Sequence, residues 1–422
     1  MMRKMMVRSF VCCMVLSISL ATRTAFADVP LAEKYLLDGK LADGAKALQG
    51  RLKESPKDDQ ARFGLGVVQF LQTFEHLGGG LYKYGLRTEK AFLRPAAQVR
   101  EFLPQNPNPE KLTYPALRQL VQTVVDDLAK VESTLAEVKD PAVKLPLHVG
   151  LIKIDPFGQG RPISAAFLFA RLQGAPPAAS EQAEALVIGF DRGDVSWLRG
   201  YCHVLSAVCE LVLSADGQKG FDCSAHLLFE KVETPHTFLL ESRRAFDENP
   251  FENRPAISDV ISFFHQILRL SIKEPARTKS ALAHLEAGIV QAKEQWKFIL
   301  AEADDDHEWI PNPKQTGVVG VHVTQEMVDA WRETLDEAEQ VLKGKKLIPF
   351  WRGAVGERGV NLRRVFTEPQ TFDLIEWVQG PAATPYLEKG PLTKFADPIT
   401  GTRLNSAFGG PINFIGFGFW FN

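Results

Sequence analysis

The chain has few cysteines, no dominant charge and, past its first 27 residues, no long apolar run. Five of its 422 residues are cysteine, and two of them, Cys12 and Cys13, fall in the opening segment. Cys202, Cys209 and Cys223 remain, too few for a dense disulfide scaffold. Their odd number leaves at least one thiol free or shared between chains. Beyond residue 27 there are never 18 consecutive apolar residues, so no helical membrane span is expected there. Lys and Arg number 49 against 51 Asp and Glu, which argues against a dedicated nucleic-acid binder. There is no GxSxG elbow and no HExxH pair. Gly78 to Gly80 are followed by Leu81, Tyr82 and Lys83, not by the Lys-Ser/Thr of a phosphate-binding loop. No motif marks a nucleophile, so nothing in the sequence commits the chain to catalysis.

The opening segment is more informative. Arg3, Lys4 and Arg8 precede an uncharged apolar run from Phe10 to Leu20, and Ala25-Phe26-Ala27 supplies a small-x-small cleavage pattern. This predicts a secretion signal over 1–27, a mature start at Asp28, and a periplasmic or extracellular destination. The run is roughly 11 residues, well short of the ~20 that span a bilayer. Cleavage removes four of the basic residues and no acid, moving the net charge from −2 to −6. What is left is long enough for two or three domains.

The remainder reads as mainly α. Residues 28–140 read as a helical-repeat-like region, 141–344 as a central helical domain with short strands, and 345–422 as an irregular C-terminal segment. Gly39, Leu41, Leu48, Leu52 and Pro56, followed by Leu65 and Gly66, fall where a repeat motif places its turn glycine, helix contacts, closing proline and Leu-Gly pair. This resembles one tetratricopeptide frame and the first helix of the next. Gly44 and Arg51 depart from its small alanines, and Gly78 to Gly80 break the second unit. The resemblance implies a partner-binding helical array; a hairpin packed on its own domain is the plainer expectation with so few repeats. The segments IGFDRGDVSWLRGYCHVLSAVCELVLSAD and FDLIEWVQGPAATPYLEKGPLT are similar to segments of exported bacterial proteins of uncharacterised function with repeat-like N-termini. That resemblance implies a shared fold and brings no chemistry with it.

Leu117, Leu120, Val121, Val124, Val125 and Leu128 predict a helix over 113–138. Alternation predicts a strand from Leu147 to Ile154, and a second strand runs from Ala185 to Phe190. Asp194 is expected to cap a helix with Leu198, Cys202, Leu205 and Cys209 on one face. Further helices are expected near 224–232, 236–247, 255–272, 276–303 and 324–343, with a short strand at Val318–Val323. Thr367 and Gln370 have capping-box spacing for one short helix ending at Gly380. Phe417, Phe419 and Phe421 alternate with Gly418 and Trp420, so the tail is expected to dock on the body as a strand.

Four constellations are candidates for chemistry. Cys202 and Cys209 lie seven residues apart on one helix, about 10.5 Å along its axis, too far to bridge. Three buried thiols packing like small apolar residues are the first expectation, a disulfide from Cys223 to Cys202 or Cys209 the second, and a metal with His203 and His226 nearby the third. Asp304, Asp306, His307 and Glu308 form a dense run able to ligate a divalent metal. Arg352, Arg358, Arg363 and Arg364 form a group suited to an anion, or to internal ion pairs. The segment DPFGQGRPISAA from Asp155 has a calcium-loop outline, but Phe157, Gln159 and Ala166 stand at ligand positions, so a tight turn is expected. No cofactor is otherwise predicted. These features point first to an exported envelope binding or structural protein without catalytic activity, with an envelope protein partner on the N-terminal helices. A metal-assisted envelope hydrolase is the alternative, and an anionic glycan- or lipid-binding protein comes third.

Overall fold

Apolar residues at three- and four-residue spacing give helices over most of the chain, and the fold is mainly α with small sheets. The computed structural model describes residues 29–87, 104–172, 186–241, 254–318, 320, 322–352 and 358–421. The expected secretion signal lies outside them.

The N-terminal helices are α1 (Leu31–Asp38), α2 (Leu41–Glu54) and α3 (Asp59–Lys83), followed by α4 (Tyr114–Ala136). Gly39 ends α1 in the left-handed region, φ 69°, where a side chain would be strained. The expected break at Gly78–Gly80 does not occur, and α3 continues through all three glycines. A Cβ on Gly78 would sit 1.8 Å from the Pro156 carbonyl oxygen, and one on Gly80 2.3 Å from Leu120 Cδ2. Close approach of a loop and of α4 explains glycines that cost a helix about 1 kcal/mol each.

β1 (Leu145–His148), β2 (Lys153–Ile154) and β3 (Ile163–Ser164) follow, then α5 (Ala165–Leu172), β4 (Val187–Phe190) and α6 (Arg192–Ser214). The single strand expected over 147–154 is interrupted by a 3-10 turn at Val149–Leu151. β1 pairs antiparallel with β4, Leu145 opposite Phe190, and β2 with β3. One hydrophobic core joins the two expected regions: Leu36, Leu48 and Val68 pack with Leu128, Leu145 and Val195.

Next come β5 (Ala215–Asp216), α7 (Gln218–Leu228), α8 (Phe238–Glu241), α9 (Arg254–Leu268), β6 (Arg269–Ile272) and α10 (Pro275–Ile299). The helix expected to reach 272 thus stops at Leu268, because the next four residues form β6, Ser271 and Ile272 pairing with β5 and Arg269 and Leu270 with Asp373 and Phe372. α6 and α10 pack antiparallel along their length, with Gly193 near Ile299, His203 bonded to His284, and Glu210 bonded to Arg277. α11 (Gln325–Leu342) starts at Thr324 as expected, the hydroxyl accepting the Met327 N–H. The strand expected just before it is not formed by its described residues; Gly317 makes an isolated bridge to Glu308.

The C-terminal segment is more regular than its composition suggests. It holds β7 (Ile348–Pro349), β8 (Gly359–Val360), α12 (Leu362–Thr367), β9 (Phe372–Asp373) and α13 (Leu374–Gln379). β10 (Leu387–Glu388), α14 (Pro398–Phe408) and α15 (Pro411–Phe421) complete it. Strand orders are β10-β8-β7 and β5-β6-β9. Thr367 ends α12 and does not cap a helix; Asp373 caps α13, accepting the Glu376 N–H at 3.0 Å. The tail is a helix, not a strand. Pro411 opens it, and Phe414, Phe417 and Phe421 recur at helical spacing against Phe408 and Trp331. Phe421 is fully buried and packs edge-on to Trp296 at 4.9 Å. That helical stripe buries three aromatic rings on one side, which a strand with Phe417, Phe419 and Phe421 on one face would not do with Phe414.

Candidate functional site

Two turns far apart in sequence meet at a cluster of carboxylates. The first is the β4–α6 turn. Asp191, not Asp194, is the N-cap of α6: its Oδ1 accepts the Gly193 N–H at 2.7 Å. Asp194 Oδ2 accepts the Asp191 N–H at 3.0 Å, completing a reciprocal capping box. The second turn follows α10. Asn312 Nδ2 donates to the Ile299 carbonyl at 3.0 Å, and Gln315 Nε2 donates to Glu302 Oε2 at 3.2 Å and to the Asp304 carbonyl at 2.7 Å. This loop lies directly on β4, where the Gly189 N–H donates to the His307 carbonyl at 3.0 Å. A Cβ on Gly189 would come within 2.3 Å of the Asp306 carbonyl oxygen. His307 itself is left-handed at φ 62°, a turn that lets Glu308 Oε1 fold back to accept the Asp306 N–H at 3.0 Å.

Carboxylate oxygens of Asp191, Glu302 and Glu308 consequently lie within 4.8 Å of one another. Asp191 and Glu308 are buried. Burial, then the hydrogen bond and charge of Asp191, hold the Glu302 carboxyl far above the usual carboxylate range. Burial with the nearby Asp191 charge raises Glu308 to about 7. Buried Asp194 is pushed up the same way, by burial and then by Asp191. Lys144 stands at the edge, its Nζ 2.9 Å from Asp304 Oδ2. Burial opposes the lysine's charge, but Asp304 and the fields of Asp191 and Glu308 prevail and raise its pKa. One lysine cannot neutralise four buried or half-buried acids, so the cluster holds protons or accepts a cation.

Of the acidic run, only Glu308 enters this cluster. Asp304 is paired with Lys144, and Asp306 faces His307 at 3.3 Å. Asp191 and Glu302 were absent from the expected ligand set. Glu302 lies just two residues before the run, but Asp191 is brought in only by the β4–α6 turn. The disulfide alternative is not formed, and Cys202, Cys209 and Cys223 are free thiols. Cys202 and Cys209 ride on α6, whereas Cys223 belongs to α7, which packs on α8 and α9. Burial raises the Cys202 thiol well above its ordinary range. The arginines also separate. Arg363 bonds Glu286 at 2.7 Å, and Arg364 bonds Glu368 and Glu388. Arg352 donates to the Gln379 carbonyl at 2.5 Å, and Arg358 is exposed. Asp155 makes the expected tight turn, its carboxylate taken by the Gln159 and Gly160 N–H groups.

A second feature is apolar. Tyr201 and Val204 of α6 and Ile415, Gly418 and Phe419 of α15 line a groove of about 250 Å³. The Tyr201 hydroxyl bonds the Phe419 carbonyl and the Trp197 Nε1–H bonds the Trp420 carbonyl at 2.9 Å, which seats α15 on α6. Val208, Leu211 and Val212 continue the exposed apolar stripe along α6. No described helix is long and apolar enough to cross a membrane. No protein family, curated protein or solved structure matches the chain.

Proposed function

We propose that this chain is an exported, non-catalytic binding protein of the cell envelope whose partner lays an amphipathic helix on the α6–α15 surface. The groove between Tyr201, Val204, Ile415 and Phe419, continued by Val208 and Leu211, carries this reading. Positions 201, 204, 208 and 211 repeat at three and four residues, the seam that an apposed helix reads. α15 contains no charged residue, so a partner face matching it is apolar too. Contiguous exposed apolar surface of this kind marks interaction sites. We favour this surface over the expected one on α1–α3, most of whose apolar residues pack into the chain's own core. The export pattern of residues 1–27 supplies the location. A photoreactive residue at Val208 in the full chain should give a heterologous adduct in the envelope fraction. The purified partner should then bind wild type and not Phe419→Asp. No adduct, an adduct of two copies of this chain, or unchanged binding by Phe419→Asp would sink the idea.

The acidic triad favours a second reading, a divalent cation held by Asp191, Glu302 and Glu308. An all-oxygen set suits calcium, magnesium or manganese. Burial of Asp191 and Glu308 favours a cation that ties the two turns together over the hydrolytic metal expected from the acidic run. Calorimetric titration with each ion should show a single site in wild type that Glu302→Gln weakens; no heat with any of the three refutes it.

A further inference from the structure

Three exposed cations of the C-terminal segment, Arg352, Arg358 and Lys389, lie at one end of the β10-β8-β7 sheet. Glu388 pairs with Gly359 across one ladder and Pro349 with Gly359 across the other. The next positions outward are therefore Lys389, Arg358 and Phe350, and Trp351 and Arg352 follow directly. Lys389, Arg358 and Arg352 are all exposed. α13 ends at the same place. The Trp351 Nε1–H donates to the Val378 carbonyl at 3.1 Å, and Arg352 donates to the Gln379 carbonyl. These bonds cap the last turn of α13 and hold Trp351 against it, with Gly380 at φ 102° giving the room: a Cβ there would lie 3.1 Å from Arg352 Cδ.

The tip so fixed is apolar. Val378 is 68% exposed, Ile375 52% and Trp351 50%, with Leu374 beside them. Trp377, by contrast, turns inward and stacks on Tyr386. The Trp351 indole N–H is already satisfied within the chain, so its ring can enter an apolar medium without stranding a donor. Glu376 is the exposed acid on α13, set against the three cations. Glu388 is taken by Arg364 and by the Asn361 amide.

We propose that this tip is a docking site for an anionic lipid surface, with Trp351, Ile375 and Val378 inserting among the acyl chains and Arg352, Arg358 and Lys389 meeting the headgroups. Aromatic and aliphatic side chains ringed by long cations are the composition of an interfacial anchor. Two exposed aliphatics beside the tryptophan favour a bilayer over a soluble anionic glycan, which offers no apolar interior. The site is separate from the α6–α15 groove and stands or falls independently of it.

The test is co-sedimentation of the full chain with vesicles of phosphatidylcholine alone and of two parts phosphatidylcholine to one part phosphatidylglycerol. Binding should be confined to the anionic vesicles and should weaken with salt. Each cation near such a surface is worth about fivefold in affinity, so Arg358→Gln with Lys389→Gln should lower it about twenty-five-fold. Ile375→Ser with Val378→Ser, both at exposed positions, should also lower it while leaving the thermal transition in place. Equal binding to both vesicle types, no binding to either, or binding indifferent to both double variants would overturn the proposal. Binding to a soluble sulfated glycan that the Ile375→Ser/Val378→Ser variant retains in full, with no vesicle binding, would assign the cations to a glycan instead.

Discussion

Glu308→Gln isolates the electrostatic cost of the acidic cluster. Its carboxyl is displaced from 4.5 to about 7 in the folded chain, burial being the main cause. Between those values the native state holds a proton that the unfolded state releases. The stabilisation is thus fully present below pH 4.5 and is lost as pH rises through about 7. The gap corresponds to about 3 kcal/mol, or about 2 kcal/mol after allowing for solvent screening at the cluster's edge. Glu302 and Asp194, also raised, contribute with the same sign, whereas Asp304, Glu337 and Glu339 are lowered and lose stability toward acid. Comparing variant with wild type cancels those other groups. Glutamine keeps an oxygen for the Asp306 N–H and stays neutral at every pH. In urea unfolding with chelator present, the variant should gain about 2 kcal/mol on wild type between pH 5 and pH 8. Parallel pH profiles for the two proteins would refute this account of the site. Should a divalent cation occupy the triad, adding it at pH 8 at about 100 times its dissociation constant should restore about 2.7 kcal/mol to wild type and less to the variant.

Three other perturbations probe the supports of the same fold. Gln295 is fully buried with neither amide atom hydrogen-bonded, so Gln295→Leu should raise stability by about 1–2 kcal/mol in thermal unfolding; a loss of that size would contradict it. Gly189→Ala should cost about 2 kcal/mol or more, since the new Cβ meets the Asp306 carbonyl, and should also weaken any cation affinity measured by titration. His203 Nδ1 and His284 Nδ1 lie 3.1 Å apart between α6 and α10. Burial lowers both imidazole pKa values, with Glu132 opposing it in both, so stability present above 6.5 is lost as pH falls through the folded values. Acid titration followed by circular dichroism should show a smaller loss for His284→Gln than for wild type.

What was legible in the sequence followed local period and local caps. The apolar spacing at 117–128 sets α4, Thr324 opens α11 and Gly380 closes α13, each decided by residues within one or two turns. What was not legible depended on competition between periods or on distant partners. In the tail, alternation of Phe417, Phe419 and Phe421 competed with the helical spacing of Phe414, Phe417 and Phe421. Trp331, Phe408 and Trp296, all outside the segment, decide between them by offering one apolar surface. Gly78 to Gly80 read as a break because propensity is local, whereas Gly78 admits Pro156 and Gly80 admits Leu120. The acidic site divides in the same way. Asp304 and Asp306 stand out in the sequence by their density, yet dense neighbours point apart and find separate partners in Lys144 and His307. Asp191 carried a legible signal of its own, a D-x-x-D capping box beginning α6, that spoke only of helix initiation. The same carboxylate that caps the helix also faces Glu302 and Glu308. Removing it would therefore unsettle the α6 start and relieve the cluster's charge at once. Asp191→Asn, which keeps the capping oxygen and drops the charge, separates those two effects, and the capping role predicts that α6 stays intact while the Glu302 carboxyl moves partway back toward the ordinary range, burial still holding it up.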